Sequence, residues 1–336
     1  MGINVLSLFD GMSCGRIALE RAGIEVDNYY ASELDKYAIT VTQANYPSTV
    51  QMGDVTGWPY WDIDWSSIDL IIGGSPCQGF SFAGKQLAFD DPRSKLFFEY
   101  VNILEYVKML NPQVKFMLEN VKMKKEHLNV ISESLGVEPV FINSSLVSAQ
   151  NRQRYYWANW DFGQPEDKGV MLVDILENEP FEKTIMSDKF TTRNKSAGCL
   201  RDDVSGKAKS LSAMEYVKNG RQGDYIACGQ MVGRKINSET GRRDDYNPNI
   251  KQTQRMELRS DNKTNCLTSV QKDNYIVREK SKSKVNYRKL TPIECERLQT
   301  VPDNYTNHVS NTQRYKMLGN GWTVDVITHI FRSSGL

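Results

Sequence analysis

Histidine is scarce in this chain, with three residues in 336, and the six cysteines, at positions 14, 77, 199, 228, 266 and 295, form no Cys-x-x-Cys pair. With so few imidazoles to join unpaired thiols, no zinc or other metal site is expected, and reduced thiols in a cytoplasm are the plain reading. Long apolar runs are also missing. No stretch of about 18 apolar residues occurs, so no membrane span is expected. Ile3 to Phe9 reads as a strand that starts almost at once, so no signal peptide is expected either. Charge of one sign is lacking only in sum, at a formal net of +1. Glu166 to Lys289 holds 25 Lys and Arg against 18 Asp and Glu, a net of +7, and the remainder carries −6. A basic segment beside an acidic one suits an anionic partner, although a solvated, loop-rich surface explains the same count.

What is present is a chain with 40% hydrophobic residues, enough to bury a real core. Its first part alternates short apolar strands with helical stripes. Ile3–Phe9 is a strand ending in Asp10-Gly11, and Gly15 to Ala22 has helical spacing. A second strand ends near Ala31-Ser32-Glu33, and a helix follows through Tyr37, Ile39 and Val41 to Asn45. Asp69–Gly73 reads as a buried strand. Pro92 and Ser94 open a long helix that stops at Asn111-Pro112, before a strand at Val114–Leu118. This alternation predicts an α/β fold with a mixed, mostly parallel sheet and helices on both faces. Ligands on such sheets sit at the carboxyl ends of the strands.

After about Pro165 the periodicity fades into polar residues, glycines and short β-like runs. Lys207-x-x-x-Leu211-Ser212-Ala213, leading to Asp224-Tyr225-Ile226, resembles Lys263-x-x-x-Leu267-Thr268-Ser269, leading to Tyr275-Ile276. Two strand–turn–strand units are the expectation. Helical signals return at Thr291-Pro292-Ile293-Glu294, where Thr291 suits an N-cap and Pro292 the first helical position. Tyr315 to Phe331 combines a Gly319-Asn320-Gly321 turn with an amphipathic tail. The predicted organisation is a catalytic unit over residues 1–164, a small β-rich, basic unit over 165–285, and a return to the first unit over 286–336.

Several strand ends carry residues suited to chemistry. Phe9-Asp10-Gly11-Met-Ser-Cys-Gly15 joins a strand to a helix start, where backbone can approach a ligand; such a turn also serves merely as a connector. Glu33 ends the second strand, where a carboxylate can accept from ribose hydroxyls. Asp54 could accept from an adenine amino group, and either acid could instead cap a turn. Gly73-Gly74-Ser75-Pro76-Cys77-Gln78-Gly79-Phe80-Ser81 places a thiol in a Gly- and Ser-rich loop after a strand end. That setting suits an exposed nucleophile, though a free cysteine is commonly a small buried hydrophobe. Glu119-Asn120-Val121 ends the next strand at the same edge, and Gln150-Asn151-Arg152-Gln153-Arg154 sets two arginines on one face of an extended segment.

In this order, Phe9-Asp-Gly, Pro76-Cys77-Gln78, Glu119-Asn120-Val121, the Gln-x-Arg-x-Arg run and Arg288-Lys-Leu-Thr-Pro-Ile-Glu-Cys-Glu-Arg-Leu-Gln resemble the ordered motifs of cytosine-5 DNA methyltransferases. Gly84-Lys-Gln, Phe97-Phe98-Glu99 and Leu318-Gly319-Asn320 fit the same series, and the matches span residues 3 to 160 and 286 to 331. There are departures. Ser13 and Cys14 stand where bacterial members more often carry glycine. The Phe-Asp-Gly-Met-Ser-Cys-Gly run and Tyr155-Tyr156-Trp157 look closer to the animal de novo enzymes. Gly321-Trp322 replaces the commoner small residue and valine after Asn320.

The resemblance implies a Rossmann-like S-adenosylmethionine-dependent methyltransferase fold with residues 165–285 as a target-recognition domain. It implies S-adenosyl-L-methionine as cofactor, S-adenosyl-L-homocysteine as product and no metal. Phe9, Asp10, Gly11, Ser13, Cys14, Gly15, Glu33, Leu34, Asp54, Val55, Pro76, Asn320 and Trp322 would bind the cofactor. Cys77 would add to C6 of a flipped cytosine, with Glu119 hydrogen bonding at N3. The resemblance makes Arg154 a contact to the cytosine ring; the spacing of Arg152 and Arg154 alone lets one meet the base oxygen while the other orients Glu119. The implied partner is double-stranded DNA, bound by a monomer in the cytoplasm of a bacterium or a phage-infected cell, with a cognate restriction endonuclease encoded nearby. An RNA methyltransferase of the same fold could manage with a shorter insert. A catalytically dead homologue should show damage at Cys77, Glu119 or the arginines, and none is seen.

Overall fold

The computed structural model describes residues 2–76, 95–180, 183–186, 190–192, 226–237, 243–244, 246–259, 261–269, 274–281 and 284–336. The first half builds strands β1 (Ile3–Leu8), β2 (Val26–Ser32), β3 (Val50–Gln51), β4 (Leu70–Gly73), β5 (Lys115–Val121), β6 (Val140–Asn143) and β7 (Gln153–Ala158). Helices α1 (Cys14–Ala22), α2 (Lys36–Asn45), α3 (Lys95–Leu110) and α4 (Lys125–Leu135) run between them. The seven strands pair in the order β3-β2-β1-β4-β5-β7-β6. Pairing is parallel from β3 to β5, and β7 lies antiparallel between β5 and β6.

Two-sided burial explains the near-continuous apolar runs in the central strands. Alternate residues enter different cores: Leu70 and Ile72 of β4 join one, and Ile71 the other. The first core gathers Ile17 of α1 with Ile327 and Ile330 of α8 (Val324–Arg332), the second Phe97 and Leu104 of α3 with Ile131 of α4. Helices therefore cover both faces, as the strand–helix alternation predicted, and Arg21 of α1 bonds Asp325 of α8 at 2.7 Å.

A short helix α5 (Leu172–Ile175) precedes a second sheet. Its strands are β8 (Lys183–Met186), β9 (Phe190–Thr192), β10 (Ile226–Arg234), β11 (Thr253–Leu258), β12 (Tyr275–Ser281) and β13 (Lys284–Lys289), ordered β8-β13-β12-β10-β11-β9. Met256, Leu258 and Val277 form its small core. The first of the two expected strand–turn–strand units, from Lys207 to Ile226, lies outside the described residues up to Tyr225, and its Ile226 opens β10. In the second, Tyr275-Ile276 does open β12, but Lys263–Ser269 is not a strand of this sheet. Its backbone docks on the first unit instead: Thr264 N donates to Ala149 O at 2.7 Å and Asn151 N to Thr264 O at 3.1 Å.

The chain re-enters the first unit through α6 (Pro292–Leu298) and α7 (Asn311–Asn320). Thr291 and Glu294 cap α6 reciprocally, Glu294 N to Thr291 Oγ1 at 3.1 Å and Thr291 N to Glu294 Oε2 at 2.9 Å. The expected Gly319-Asn320-Gly321 turn is shifted. Gly321 N donates to Met317 O at 2.7 Å, so helical bonding runs through Gly319 and Asn320, and the break comes at Gly321. Tertiary contacts to the Gly319 carbonyl override the weak helix propensity of glycine.

Two buried ion pairs flank Cys295 on α6. Arg288 Nη2 meets Glu294 Oε1 at 2.6 Å, and Arg314 Nη2 meets Glu296 Oε1 at 3.0 Å. Glu296 also accepts from Asn304 N and Thr306 N at 2.7 and 2.9 Å. Removing one member of such a pair leaves a buried charge uncompensated. Glu296→Ala should cost about 3–5 kcal/mol, read as a lowered urea midpoint, and a loss below about 1 kcal/mol would show that water or a neighbour replaces the carboxylate.

Candidate active site

Strands β1, β2, β3 and β4 end on one edge, and the residues singled out above fall there. After β1 the chain turns through Phe9 (φ 59°), Gly11 (φ 62°) and Ser13 (φ 59°). Left-handed backbone costs a non-glycine residue about 1–3 kcal/mol, and such strain concentrates at ligand sites. Nothing would crowd a Cβ at Gly11, so glycine is there for its backbone angle and not for space. Asp10 holds the loop by accepting from Ser7 Oγ at 2.6 Å, from Tyr29 OH at 2.8 Å and from Ser13 Oγ. Ser13 Oγ also lies 2.9 Å from Thr42 Oγ1 of α2. Gly15 is packed: a Cβ there would lie 2.4 Å from Ile72 Cδ1. Cys14 is buried, and burial pushes its thiol up to about 12.

Glu33, one residue past β2, accepts from Gly11 N at 2.7 Å on Oε2 and from Leu34 N and Asp35 N at 2.8 Å on Oε1. It thus ties the β1 loop to the β2 loop. An ionised carboxylate has about four acceptor positions, so three backbone donors leave room for one more. Leu34 beside it is 69% exposed. Ser32 Oγ donates to Gly53 O at 2.7 Å, drawing in the third loop, where Asp54 Oδ1 accepts from Thr56 N at 2.9 Å and caps the six-residue 3-10 helix Val55–Tyr60. Val55, the first residue of that helix, is buried. The strained loop, the bridging Glu33 and the exposed Leu34 form a cradle whose chemistry fits a nucleoside: acceptors for hydroxyls and an apolar side chain for a base.

Farther along the edge, Pro76 is half-buried after β4, and Cys77 lies outside the described residues. Glu119 is 8% exposed near the end of β5. Arg154 on β7 places Nε 2.8 Å from Glu119 Oε1, and Trp322 Nε1 stands 3.2 Å from Oε2. Antiparallel pairing sets this up, because Glu119 faces Tyr156 and Val121 faces Arg154 across the ladder. Arg152 takes a different path. Its Nη1 donates to Leu267 O at 3.3 Å and Gly319 O at 3.2 Å, and its Nη2 to Gly321 O at 2.8 Å. Of the two arginines, Arg154 therefore orients the carboxyl, and Arg152 is committed to backbone carbonyls. Asn320 is exposed at the end of α7, and the buried Trp322 follows on the next loop.

A family model for C-5 cytosine-specific DNA methylases matches residues 3–335. The chain belongs to that family. Among its relatives, type II methyltransferase M.NlaX of Neisseria lactamica is 32% identical over 346 residues, covering 97% of this chain and 94% of the relative. Type II methyltransferase M.HpaII of Haemophilus parainfluenzae is 29% identical, covering 96% and 86%. The orphan methyltransferase M.SPRI of Bacillus phage SPR is 27% identical, covering 98% and 97%. The fold agrees with that of a Spodoptera frugiperda DNMT2 mutant, at a TM-score of 0.57 and 18% identity over 99% of both chains.

In this DNA methylase the structure adds residues that motif reading passed over. Cys266, from the docked segment, lies 3.3 Å from Arg152 Nη1 and 3.8 Å from Arg154 Nη2. Burial would raise its thiol, but the two guanidiniums outweigh that and hold it below its usual value. Gln150 Oε1 accepts from Leu267 N at 2.7 Å, while its Nε2 reaches Gln299 Oε1 at 3.2 Å. Gln299 Nε2 in turn donates to Leu318 O at 2.6 Å. Gln150 stands in the Gln-x-Arg-x-Arg run, but no local pattern gives its role, since its partners Leu267 N and Gln299 Oε1 lie 117 and 149 residues away.

Asp10 offers a test of the strained loop. Burial pushes its carboxyl up to about 6, against the hydrogen bonds from Ser13, Ser7 and Tyr29, and nearby Glu33 adds to the rise. The folded state thus holds this proton more tightly than the unfolded chain does. Its contribution is fully present below about pH 4 and is lost as pH rises through 6. Asp10→Asn does not titrate, so its stability relative to the wild type should improve by up to about 3 kcal/mol across that window. Paired urea titrations at the two ends of the window check this, and a constant gap would place the Asp10 carboxyl in ordinary solvent.

Proposed function

We propose that this methylase transfers a methyl group from S-adenosyl-L-methionine to C5 of a cytosine flipped out of duplex DNA, with Cys77 as the covalent nucleophile. The observation that carries the reading is the Glu119 carboxyl, oriented by Arg154 beside the end of β4, from which Ser75-Pro76 lead directly to Cys77.

When bound, the cofactor supplies an electrophilic methyl group. Phe9, Asp10, Gly11, Ser13, Cys14, Gly15, Glu33, Leu34, Asp54, Val55, Pro76, Asn320 and Trp322 would hold it, with Glu33 taking ribose hydroxyls on its remaining acceptor position. The Cys77 thiolate would add to C6 of the ring, and the displaced electron pair would run toward N3, where Glu119 supplies hydrogen bonding. Carbon 5, gaining electron density, would then take the methyl group as its bond to the sulfonium sulfur breaks and S-adenosyl-L-homocysteine is left. Loss of the C5 proton to water restores the double bond and expels the thiolate. Arg154 keeps Glu119 in place, and Arg152 fixes the segments around it. The basic insert would contact phosphates and read base edges. The names of the type II relatives extend the proposal to a cognate restriction endonuclease as partner.

Cys77→Ser should abolish methyl transfer while cofactor and DNA binding persist. Duplex DNA carrying 5-fluorocytosine should trap the wild type covalently, because fluorine cannot leave as a proton does. Mass spectrometry that maps the adduct to Cys14, Cys266 or Cys295 would reassign the nucleophile. Bisulfite sequencing of DNA from expressing cells tests the target base directly.

Glu33→Ala should weaken cofactor binding by about 1–3 kcal/mol, the scale of one lost charge-assisted hydrogen bond. Calorimetry with S-adenosyl-L-homocysteine measures it, and unchanged affinity would leave Glu33 as a loop tie alone.

A further inference from the structure

Glu119 is gripped from a second side that the reaction above leaves unused. Trp322 Nε1 donates to Oε2 at 3.2 Å while Arg154 Nε holds Oε1 at 2.8 Å. The indole is buried, and a buried indole N–H needs an acceptor. Its seat is built by several elements. A Cβ on Gly74 would stand 2.9 Å from Trp322 Nε1 and 3.1 Å from Glu119 Oε2, so the pair fits only because that position after β4 has no side chain. The other edge of the ring, at Cζ3, comes within 3.5 Å of where a Cβ on Gly15 would lie, at the start of α1. The preceding carbonyl, Gly321 O, accepts from Arg152 Nη2 at 2.8 Å and from Gln299 Nε2 at 3.2 Å. On the following residue, Thr323 Oγ1 donates to Gln299 Oε1 at 2.9 Å.

Building on the methyl-transfer reading, we propose that Trp322 is a positioning residue for the catalytic carboxyl. Its indole N–H fixes the second oxygen of Glu119, so the plane of the carboxyl is set by two donors before a base arrives. One donor comes from β7 and the other from the loop between α7 and α8. Rotation of the carboxyl about its last bond, otherwise a broad and soft torsion, is thereby removed. The same ring touches the start of α1, so the cradle for the cofactor and the acid that meets the base share one side chain.

Trp322→Phe keeps the ring and removes the donor. Its kcat on duplex DNA should fall about tenfold, the scale of one ordinary hydrogen bond. The KM for S-adenosyl-L-methionine should stay within about twofold, because the lost interaction acts on the transition state. A raised KM with unchanged kcat would overturn the proposal, since it would make Trp322 a cofactor residue only. The second readout does not depend on activity. With nitrogen-15 label in the six tryptophans, the indole signal missing from Trp322→Phe belongs to Trp322. That signal should move in Glu119→Ala while the other five hold still, and an unmoved signal would overturn the proposal. Wild-type protein that methylates no duplex DNA would overturn the reaction reading instead, and the indole signal would still decide the hydrogen bond.

Discussion

Arg152 is 3% exposed, and its guanidinium is met by carbonyl oxygens in place of a carboxylate. Taking a cation out of water costs several kcal/mol unless its donors are satisfied. Here the acceptors come from three separate stretches: Leu267 in the segment docked from the second unit, Gly319 near the end of α7, and Gly321 in the loop before α8. One charge therefore fixes where the insert rests, where a helix stops and where the Trp322 loop begins. A lysine could not replace it, because a single ammonium lacks the planar fork that reaches several acceptors at once. Arg154, two residues on, can then serve the carboxyl of Glu119 without also carrying the architecture.

The strained loop after β1 shows a second balance. Phe9 and Ser13 sit in left-handed backbone, at a cost set against three hydroxyl bonds to Asp10 and the backbone bond from Gly11 to Glu33. The loop is held in shape before any ligand arrives, which lowers the ordering cost that binding would otherwise incur. Burial of Asp10 is the weak point of this arrangement, since its carboxyl resists ionisation as pH rises through 6.

How far the sequence carried depends on the range of the forces involved. Strands such as Leu70–Gly73 were readable because burial on both faces leaves an unbroken apolar run, and α6 because its cap lies within four residues. That an arginine of the Gln-x-Arg-x-Arg run could orient Glu119 was legible, but which of the two stands beside it follows only from the antiparallel register of β5 and β7. The committed role of Arg152 was not legible, because main-chain carbonyls look alike in a sequence and only the fold brings these three together. Lys263–Ser269 resembles strand locally, yet the free backbone of Ala149 and Asn151 offered better partners than its own sheet. The partner of Trp322 lies 203 residues away, beyond any local pattern.

The docking of Lys263–Leu267 has an evolutionary side. Thr264 N donates to Ala149 O, Asn151 N donates to Thr264 O, and Leu267 N donates to Gln150 Oε1. Main-chain groups are present whatever the side chain, short of proline. Lys263 adds a side-chain hold, its Nζ donating to Ser145 O and Ser148 O at 3.0 and 3.2 Å, so mutation of the insert can drift without loosening its seat only where a side chain makes no such bond. A lineage could acquire new side chains at such positions by many small steps, each made in a protein whose two units still meet in the same way.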